Sequence, residues 1–517
     1  MADAIVNVFL EKLLSTLAEE GRYVTEFRDQ FEKLQTELQL LQCFLKDADR
    51  LKRKNHTIRK ILADLRELIY EAEDILADCQ LQSRDENQFS QSWLACFSPP
   101  KLHFKYQSGK RLKEITEKIT SIKQNISSFL GGPLLFQPEV ISAQDQMPRW
   151  SSQVYDHTQV IAKDDAFYNA TGTNYRHLGV DNSMDKKQLI ANQKLRGLVS
   201  TTKTCEVNKI ESGIAKRFSE CKYLRVLDVS KSIFELPLSS LLYRVGTLQH
   251  LTYLGLSNTH PLVELPDSLE NLTNLQILDV SYCQNLKFLP QYLIKFKKLK
   301  VLDVSFCGSL ENLPKGLGRL SNLEVLLGFR PARSNNGCRI GELRNLTRLR
   351  TLGLHLTHAD EVEDSEFNAM MNLQDLEKLS ISFFDSHGSA SDLTSKIDKL
   401  CPPQQLHELS VMFYPGKISP LWLNPLALPM LKYLSISSGN LAKMHQNFWG
   451  GDNNIVWKVE GLMLESLSDL ELQWPKLQQL MQILRVVNVS WCPELVSFPI
   501  EDVGFRGGVW IKEQIRN

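Results

Sequence analysis

Residue types able to do chemistry are present in this chain, but their spacing does not assemble them. The nearest approach to a phosphate-cradling loop is Ser108-Gly109-Lys110-Arg111, which lacks the leading glycine and the Ser/Thr hydroxyl that would meet Mg²⁺. No H-E-x-x-H pair, no G-x-S-x-G elbow and no protein-kinase motif set occurs. The ten cysteines are scattered without a C-x-x-C, a pattern expected of buried reduced thiols and not of a metal cluster or dithiol centre. Sixty basic and sixty acidic side chains cancel, so the electrostatic footprint of a nucleic-acid binder is not expected. The chain is therefore expected not to be an enzyme, with no catalytic, nucleotide-binding or metal-ligating residue. The chemistry left to look for is recognition.

Recognition needs aromatic, apolar and charged side chains held at fixed spacing, and a repeat supplies them. Leu224-Arg225-Val226-Leu227-Asp228-Val229 opens an L-x-x-L-x-L ladder. Its fourth positions return at Leu254, Leu278, Leu302, Leu326 and Leu352, then less regularly at Leu379, Leu409, Leu434, Leu470 and Val487, with faint copies at Leu178 and Leu198. A period of about 24 residues with this pattern is the leucine-rich-repeat signature, one short strand per repeat stacked into a horseshoe. In such a repeat positions 1, 4, 6 and 9 face the core, and 3, 5, 7 and 8 line the concave side. Position 5 then predicts an acidic column, Asp228, Asp279 and Asp303. Position 3 predicts an exposed apolar column of Val226, Tyr253, Ile277, Val301 and Val325. Position 8 presents Tyr282, Phe306 and Trp491, and His260 follows the ninth position of its repeat on the same rim. Solvent-facing aromatics are what a protein-binding surface shows; packing against neighbouring repeats is the alternative. Cys283, Cys307 and Cys492 fill the ninth slot, which takes a small buried side chain.

The elements before the repeats are of another kind. The first 98 residues hold hardly any Gly or Pro. Apolar side chains recur in steps of three and four in one helix over about 3–17, in a second from Val24 to Ala48, in a third through Ile58, Ile61, Leu65, Leu68, Ala72 and Ile75, and in a fourth through Leu112, Ile115, Ile119, Ile122 and Ile126. Helices of this length with short connections pack as an antiparallel four-helix bundle. Gly131-Gly132-Pro133 ends the helical region, and residues up to 168 read as a linker. The expected organisation is an α+β multidomain chain: a bundle at 1–130, a linker at 131–168 and the repeats at 169–517. No apolar run reaches spanning length, and the first twenty residues carry Asp3, Glu11, Lys12 and Glu19, unlike a signal peptide. A cytoplasmic protein is expected.

Two further segments carry a resemblance. Met1-Ala2-Asp3-Ala4-Ile5-Val6-Asn7-Val8-Phe9-Leu10-Glu11-Lys12 resembles the N-terminal helix of plant immune receptors with coiled-coil, nucleotide-binding and leucine-rich-repeat domains. Tyr70-Glu71-Ala72-Glu73-Asp74-Ile75-Leu76-Ala77-Asp78 is similar to their acidic motif, with Ala77 in place of its second Asp. Tyr155-Asp156-His157-Thr158-Gln159-Val160, Ser257-Asn258-Thr259-His260-Pro261-Leu262 and Gly504-Phe505-Arg506-Gly507-Gly508-Val509-Trp510 extend the match through the linker and repeats.

The resemblance implies an Rx-type coiled-coil domain, a leucine-rich-repeat domain and a role in defence. It also implies an ATP/ADP switch domain after Val160, but Ile161-Ala162-Lys163-Asp164-Asp165, similar to the segment that follows that domain, comes at once. ADP or ATP is expected of the full-length family, whereas its site is absent here, so no cofactor is expected. By the same resemblance the repeats bind a receptor-like cytoplasmic pseudokinase through Val207, His260, Val263, Trp491 and Phe505. Glu71, Glu73 and Asp74 match the motif that contacts the repeat domain. Phe9, Leu10, Glu11, Leu14 and Leu17 belong to a helix that forms a cation-permeable funnel in the plasma membrane once activated. About 17 helical residues rise ~25 Å, close to a bilayer core, and a carboxylate ring suits cations. The simpler reading makes Phe9, Leu10, Leu14 and Leu17 core residues of the bundle. Full-length resistance proteins are further expected partners, and the plasma membrane is one only after activation.

Overall fold

The computed structural model describes residues 2–18, 27–51, 56–88, 99–130, 177–180, 195–200, 208–210, 221–234, 238–333, 336–357, 363–383, 390–450, 455–495 and 498. The chain forms two compact units, residues 1–143 and 144–517.

The first unit is helical. Helices α1 (Ala2–Ala18), α2 (Arg28–Leu51), α3 (His56–Gln88) and α4 (Pro99–Leu130) contribute to one apolar core. The three-and-four spacing decides which side chains enter it. Val6, Phe9, Leu10, Leu13 and Leu17 come from α1, and Phe31, Leu34, Leu38, Leu41 and Leu45 from α2; Leu112, Ile115, Ile119, Ile122 and Ile126 come from α4. Each such side chain taken out of water stabilises the unit by roughly 1.5–3 kcal/mol before entropy is counted. In α3 Ile58, Leu65, Leu68 and Ala72 are buried as expected, but the edge of the buried face is turned from the expected seam. Leu62, Ile69 and Leu76 are buried, while Ile61 and Ile75 are only partly so. Polar ties cross between helices at the edges of this core: Lys12 Nζ to Glu73 Oε1 at 2.8 Å, Lys123 Nζ to Glu37 Oε2 at 2.7 Å, and Arg111 to Glu71.

The second unit is a leucine-rich-repeat solenoid. Among the described residues thirteen strands form one sheet in the order β1-β2-β4-β6-β7-β8-β9-β10-β11-β12-β13-β14-β15, every neighbouring pair parallel. They are β1 (His177–Val180), β2 (Gly197–Ser200), β4 (Val226–Asp228), β6 (Tyr253–Gly255), β7 (Ile277–Asp279), β8 (Val301–Asp303), β9 (Val325–Phe329), β10 (Thr351–His355), β11 (Lys378–Ser382), β12 (Glu408–Tyr414), β13 (Tyr433–Gly439), β14 (Gly461–Glu465) and β15 (Val486–Ser490). The remaining two described strands, β3 (Asn208–Ile210) and β5 (Ser232–Phe234), pair in a separate parallel sheet. The fourth positions stand in register across the sheet, from Leu178 and Leu198 through Leu227, Leu254, Leu278, Leu302, Leu326, Leu352, Leu379, Leu409 and Leu434. A parallel sheet needs its return path covered. Short 3₁₀ turns at Asp267–Asn271, Gln291–Lys295 and Leu317–Arg319 do this, the first two entered through Pro266 and Pro290. The leucine before each of these prolines is buried.

The register corrects one repeat. Leu434 pairs with Leu462, which pairs with Val487, so the twelfth strand belongs to Val459-Glu460-Gly461-Leu462-Met463-Leu464 and not to the segment around Leu470. Leu467, Leu470 and Leu472 repeat the same L-x-x-L-x-L spacing but are buried outside any strand. Spacing alone cannot tell the two apart. The regular period also ends where the geometry does. Gly328 has φ of 74°, a Cβ there would lie 2.6 Å from the Ser305 backbone, and the β9–β10 register shifts between Leu352 and Leu354.

Candidate interaction surface

The eighth position of the repeat has a backbone of its own. Lys231, Asn258, Tyr282, Phe306, Phe413, Ser438, Ser466 and Trp491 all have φ between 52° and 59°. Counted from the leucine or valine that opens each repeat, all eight are eighth residues. The turn lets the amide reach the carbonyl of the next repeat: Lys231 N–H donates to Ser257 O at 2.7 Å, Asn258 to Ser281 at 2.8 Å, Tyr282 to Ser305 at 2.8 Å and Ser466 to Ser490 at 2.9 Å. The ladder of parallel hydrogen bonds thus runs past the strands to the rim. A non-glycine side chain in this region costs on the order of 1 kcal/mol, least for Asn. Asn258 is the inexpensive solution. Tyr282, Phe306, Phe413 and Trp491 are not, and all four are exposed, at 44%, 62%, 40% and 64%. The turn itself does not require bulky aromatics, since Lys231, Asn258, Ser438 and Ser466 adopt the same backbone.

Two of these rings are stacked on each other. Tyr282 and Phe306 have centroids 4.6 Å apart and planes 17° from parallel, an attractive arrangement worth about 0.5–1.5 kcal/mol. Gln284 fixes the turn that carries Phe306, its Nε2 donating to Phe306 O at 2.7 Å while its Oε1 accepts from Gly308 N–H at 3.2 Å.

The two columns expected beside the aromatics are not exposed. Asp279 is 2% exposed and Asp303 is buried as well. Each folds back on its own turn: Asp279 Oδ1 accepts from Ser281 N–H at 2.9 Å and Ser281 Oγ at 2.7 Å, and Asp303 Oδ1 from Ser305 N–H at 2.9 Å. Asp228 does the same with Ser230 N–H at 3.0 Å. The D-x-S spacing, legible in the sequence, marks these as turn-building carboxylates. The apolar third positions are likewise buried. Tyr253, Ile277, Val301 and Val325 stand in cross-strand register and form a second small core with Leu327, Val226 packing at its edge.

The ninth positions are inert. Thr259 Oγ1 donates to Val229 O at 3.3 Å, Cys283 Sγ to Leu256 O at 3.1 Å and Cys307 Sγ to Val280 O at 3.1 Å. Each thus ties its repeat to the sixth-position carbonyl of the preceding one. Burial pushes the Cys283 thiol up to about 11 and the Cys307 thiol up to about 12, so neither is a nucleophile at neutral pH. Cys492 is buried too, as expected.

Of the residues expected to meet a pseudokinase, His260, Val263 and Trp491 are exposed in the repeat unit. Val207 and Phe505 lie outside the described residues, as does the linker over 131–168. In α1, Phe9, Leu10 and Leu17 are buried in the apolar core of the helical unit, as the simpler reading has it. Leu14 departs from that reading: it is exposed, as are Val8 and Glu11, because the core-facing stripe runs through Leu10, Leu13 and Leu17. Glu71 and Glu73 are engaged within the helical unit, with Arg111 and Lys12 respectively, and Asp74 is buried. Phe413 is an exposed eighth-position aromatic that the sequence reading missed. It was within reach, being the eighth residue counted from Leu406.

Among the described residues no group of three or more His, Cys, Asp or Glu could hold a metal, and no helix is long and apolar enough to cross a membrane.

Comparison with known proteins agrees with the two units. Residues 5–106 match the Rx N-terminal domain family, and residues 201–448 match a leucine-rich repeat region family. Disease resistance RPP13-like protein 4 of Arabidopsis thaliana is 53% identical over 352 residues, 68% of this chain and 41% of that protein. Disease resistance protein RGA2 of Solanum bulbocastanum is 32% identical over 164 residues, 32% of this chain and 16% of that protein. The chain thus spans less than half the length of either relative. Among solved structures, a leucine-rich-repeat protein of Leptospira interrogans matches at 20% identity over 62% of this chain and 86% of its own, with a TM-score of 0.36.

Proposed function

We infer that this chain, whose Rx N-terminal domain, leucine-rich-repeat region and similarity to plant disease resistance proteins support a resistance protein of the coiled-coil, nucleotide-binding, leucine-rich-repeat type, acts in plant defence by binding proteins with its repeats. The observation that carries this reading is the row of exposed aromatics, Trp491 among them, held at a backbone position where bulky side chains are costly. Exposed aromatics in a rigid frame are the commonest anchors of protein interfaces.

The partner in this reading is a receptor-like cytoplasmic pseudokinase, met through His260, Val263 and Trp491 together with Val207 and Phe505. The relative it stands near is the HopZ-activated resistance protein, which the segments around His260 and Phe505 resemble. It works without an ATP switch of its own, a reading supported by the direct passage from Val160 to Ile161 and the missing phosphate-loop motif. The helical unit is an antiparallel four-helix bundle with Glu71, Glu73 and Asp74 as its acidic motif. The protein resides in the cytoplasm, and full-length resistance proteins are further partners. A pull-down with a cognate pseudokinase tests the surface: binding is expected with the wild type and lost with Trp491→Ala plus His260→Ala. Binding undiminished in the double variant contradicts the assignment.

A second reading makes the first helix a membrane-inserting cell-death executor. Val8, Glu11 and Leu14 favour it, as they lie exposed along one side of α1. Cell death on expression in leaf tissue, reduced by Glu11→Ala, is its expected outcome. A silent wild type rejects it.

A further inference from the structure

We propose that the stacked pair Tyr282–Phe306 is a recognition plate for an arginine side chain of a protein partner, a contact carried by residues other than His260, Val263 and Trp491. The proposal rests on the reading of the repeats as a protein-binding array and adds the chemistry of one contact.

Three observations carry it. The rings are open to solvent, 44% and 62% exposed, and stacked at 4.6 Å, so the pair offers a π face one ring wide that is held in place by the ring behind it. The frame is fixed before any partner arrives: the Tyr282 amide is bonded to Ser305 O, and Gln284 brackets the turn of Phe306 from both sides. A preorganised plate loses little entropy on binding. The charge beneath it is negative. Asp279 and Asp303 stand in cross-strand register in the row below, and both act on the Tyr282 phenol, whose ionisation is disfavoured first by burial and then by these two carboxylates.

A negative aromatic surface disfavours carboxylate or phosphate and attracts a cation. Guanidinium suits it better than ammonium, being planar, weakly hydrated and able to stack on a ring face. The backbone adds an argument against a structural role. Tyr282 and Phe306 have φ of 58° and 57°, where Asn258 serves the same fold position in the neighbouring repeat. Replacing both rings by Asn should remove the plate while the loss of stacking is offset by relief of two left-handed residues.

The test uses the full chain and a phage-displayed library of random twelve-residue peptides. Recovered peptides are resynthesised with each arginine as citrulline, which keeps the shape and removes the charge. Expected are arginine-containing binders that lose tenfold or more in affinity on the citrulline exchange. Tyr282→Asn plus Phe306→Asn should cause the same loss with an unchanged or higher Tm, while Phe306→Tyr retains binding. No binder, binders indifferent to citrulline, binding unaffected by the double Asn variant, or a lowered Tm in that variant would each overturn the proposal. Pseudokinase capture dependent on Trp491 and His260 is read separately, so this inference can fail while the broader reading stands.

Discussion

At Cys307 burial turns a group that could do chemistry into one that cannot. Its thiol donates to the Val280 carbonyl at 3.1 Å and is pushed up to about 12 by desolvation; Cys283 follows the same pattern at about 11. The linkage to stability has a definite sign. The native state holds these protons more tightly than the unfolded chain, whose thiols titrate near 9. Their contribution is full below pH 9 and is lost as pH rises from there through 11 and 12. Urea midpoints measured between pH 7 and 11 should fall at the alkaline end, and Cys283→Ala plus Cys307→Ala should flatten that fall. The aspartates of the concave row make the complementary case. Asp279→Ala leaves the amide and hydroxyl of Ser281 without their buried acceptor, which should cost about 1–3 kcal/mol. A loss near zero in a urea titration would mean that the carboxylate faces solvent after all. The D-x-S spacing was in the sequence, but which face of the strand stays open depends on cross-strand packing that no single repeat displays.

At the scale of elements the apolar periods were the most legible part. The seams of α1, α2 and α4, and the fourth-position column from Leu178 to Leu434, are where the three-and-four and L-x-x-L-x-L patterns put them. The errors fall where two patterns compete. Leu462 and Leu470 sit in the same L-x-x-L-x-L spacing, and only strand register separates them. In α3, Ile61 and Leu62 are adjacent and both apolar, so rotation about the helix axis is set by packing alone. The same reasoning ranks the energetics of the elements. Leu254→Ala, at a fully buried register position, should destabilise the solenoid by about 2–5 kcal/mol. Glu73→Ala, which breaks a part-exposed pair with Lys12, should cost the helical unit about 1 kcal/mol or less. Thermal melts of the two variants check the ranking; an equal or reversed order contradicts it.

For the whole molecule, one unit is helical with an apolar core and the other is a solenoid that exposes aromatics at eighth positions of its repeats. The candidate site was partly legible: His260, Tyr282, Phe306 and Trp491 follow from counting along the repeat, whereas the left-handed backbone that makes the aromatics costly appears only in three dimensions. In the family that the chain resembles, a nucleotide switch sits between such units, and here Val160 runs directly into Ile161. Sequencing a transcript across that junction should return the same continuous reading frame; an intervening domain of several hundred codons would restore the switch and with it nucleotide dependence. The most direct test of the central claim, binding without a switch, is calorimetric titration of the full chain with a receptor-like cytoplasmic pseudokinase, with and without ADP or ATP. One affinity is expected, unchanged by nucleotide and abolished by Trp491→Ala plus His260→Ala. An affinity that changes with nucleotide, or the absence of binding by the wild type, would contradict it.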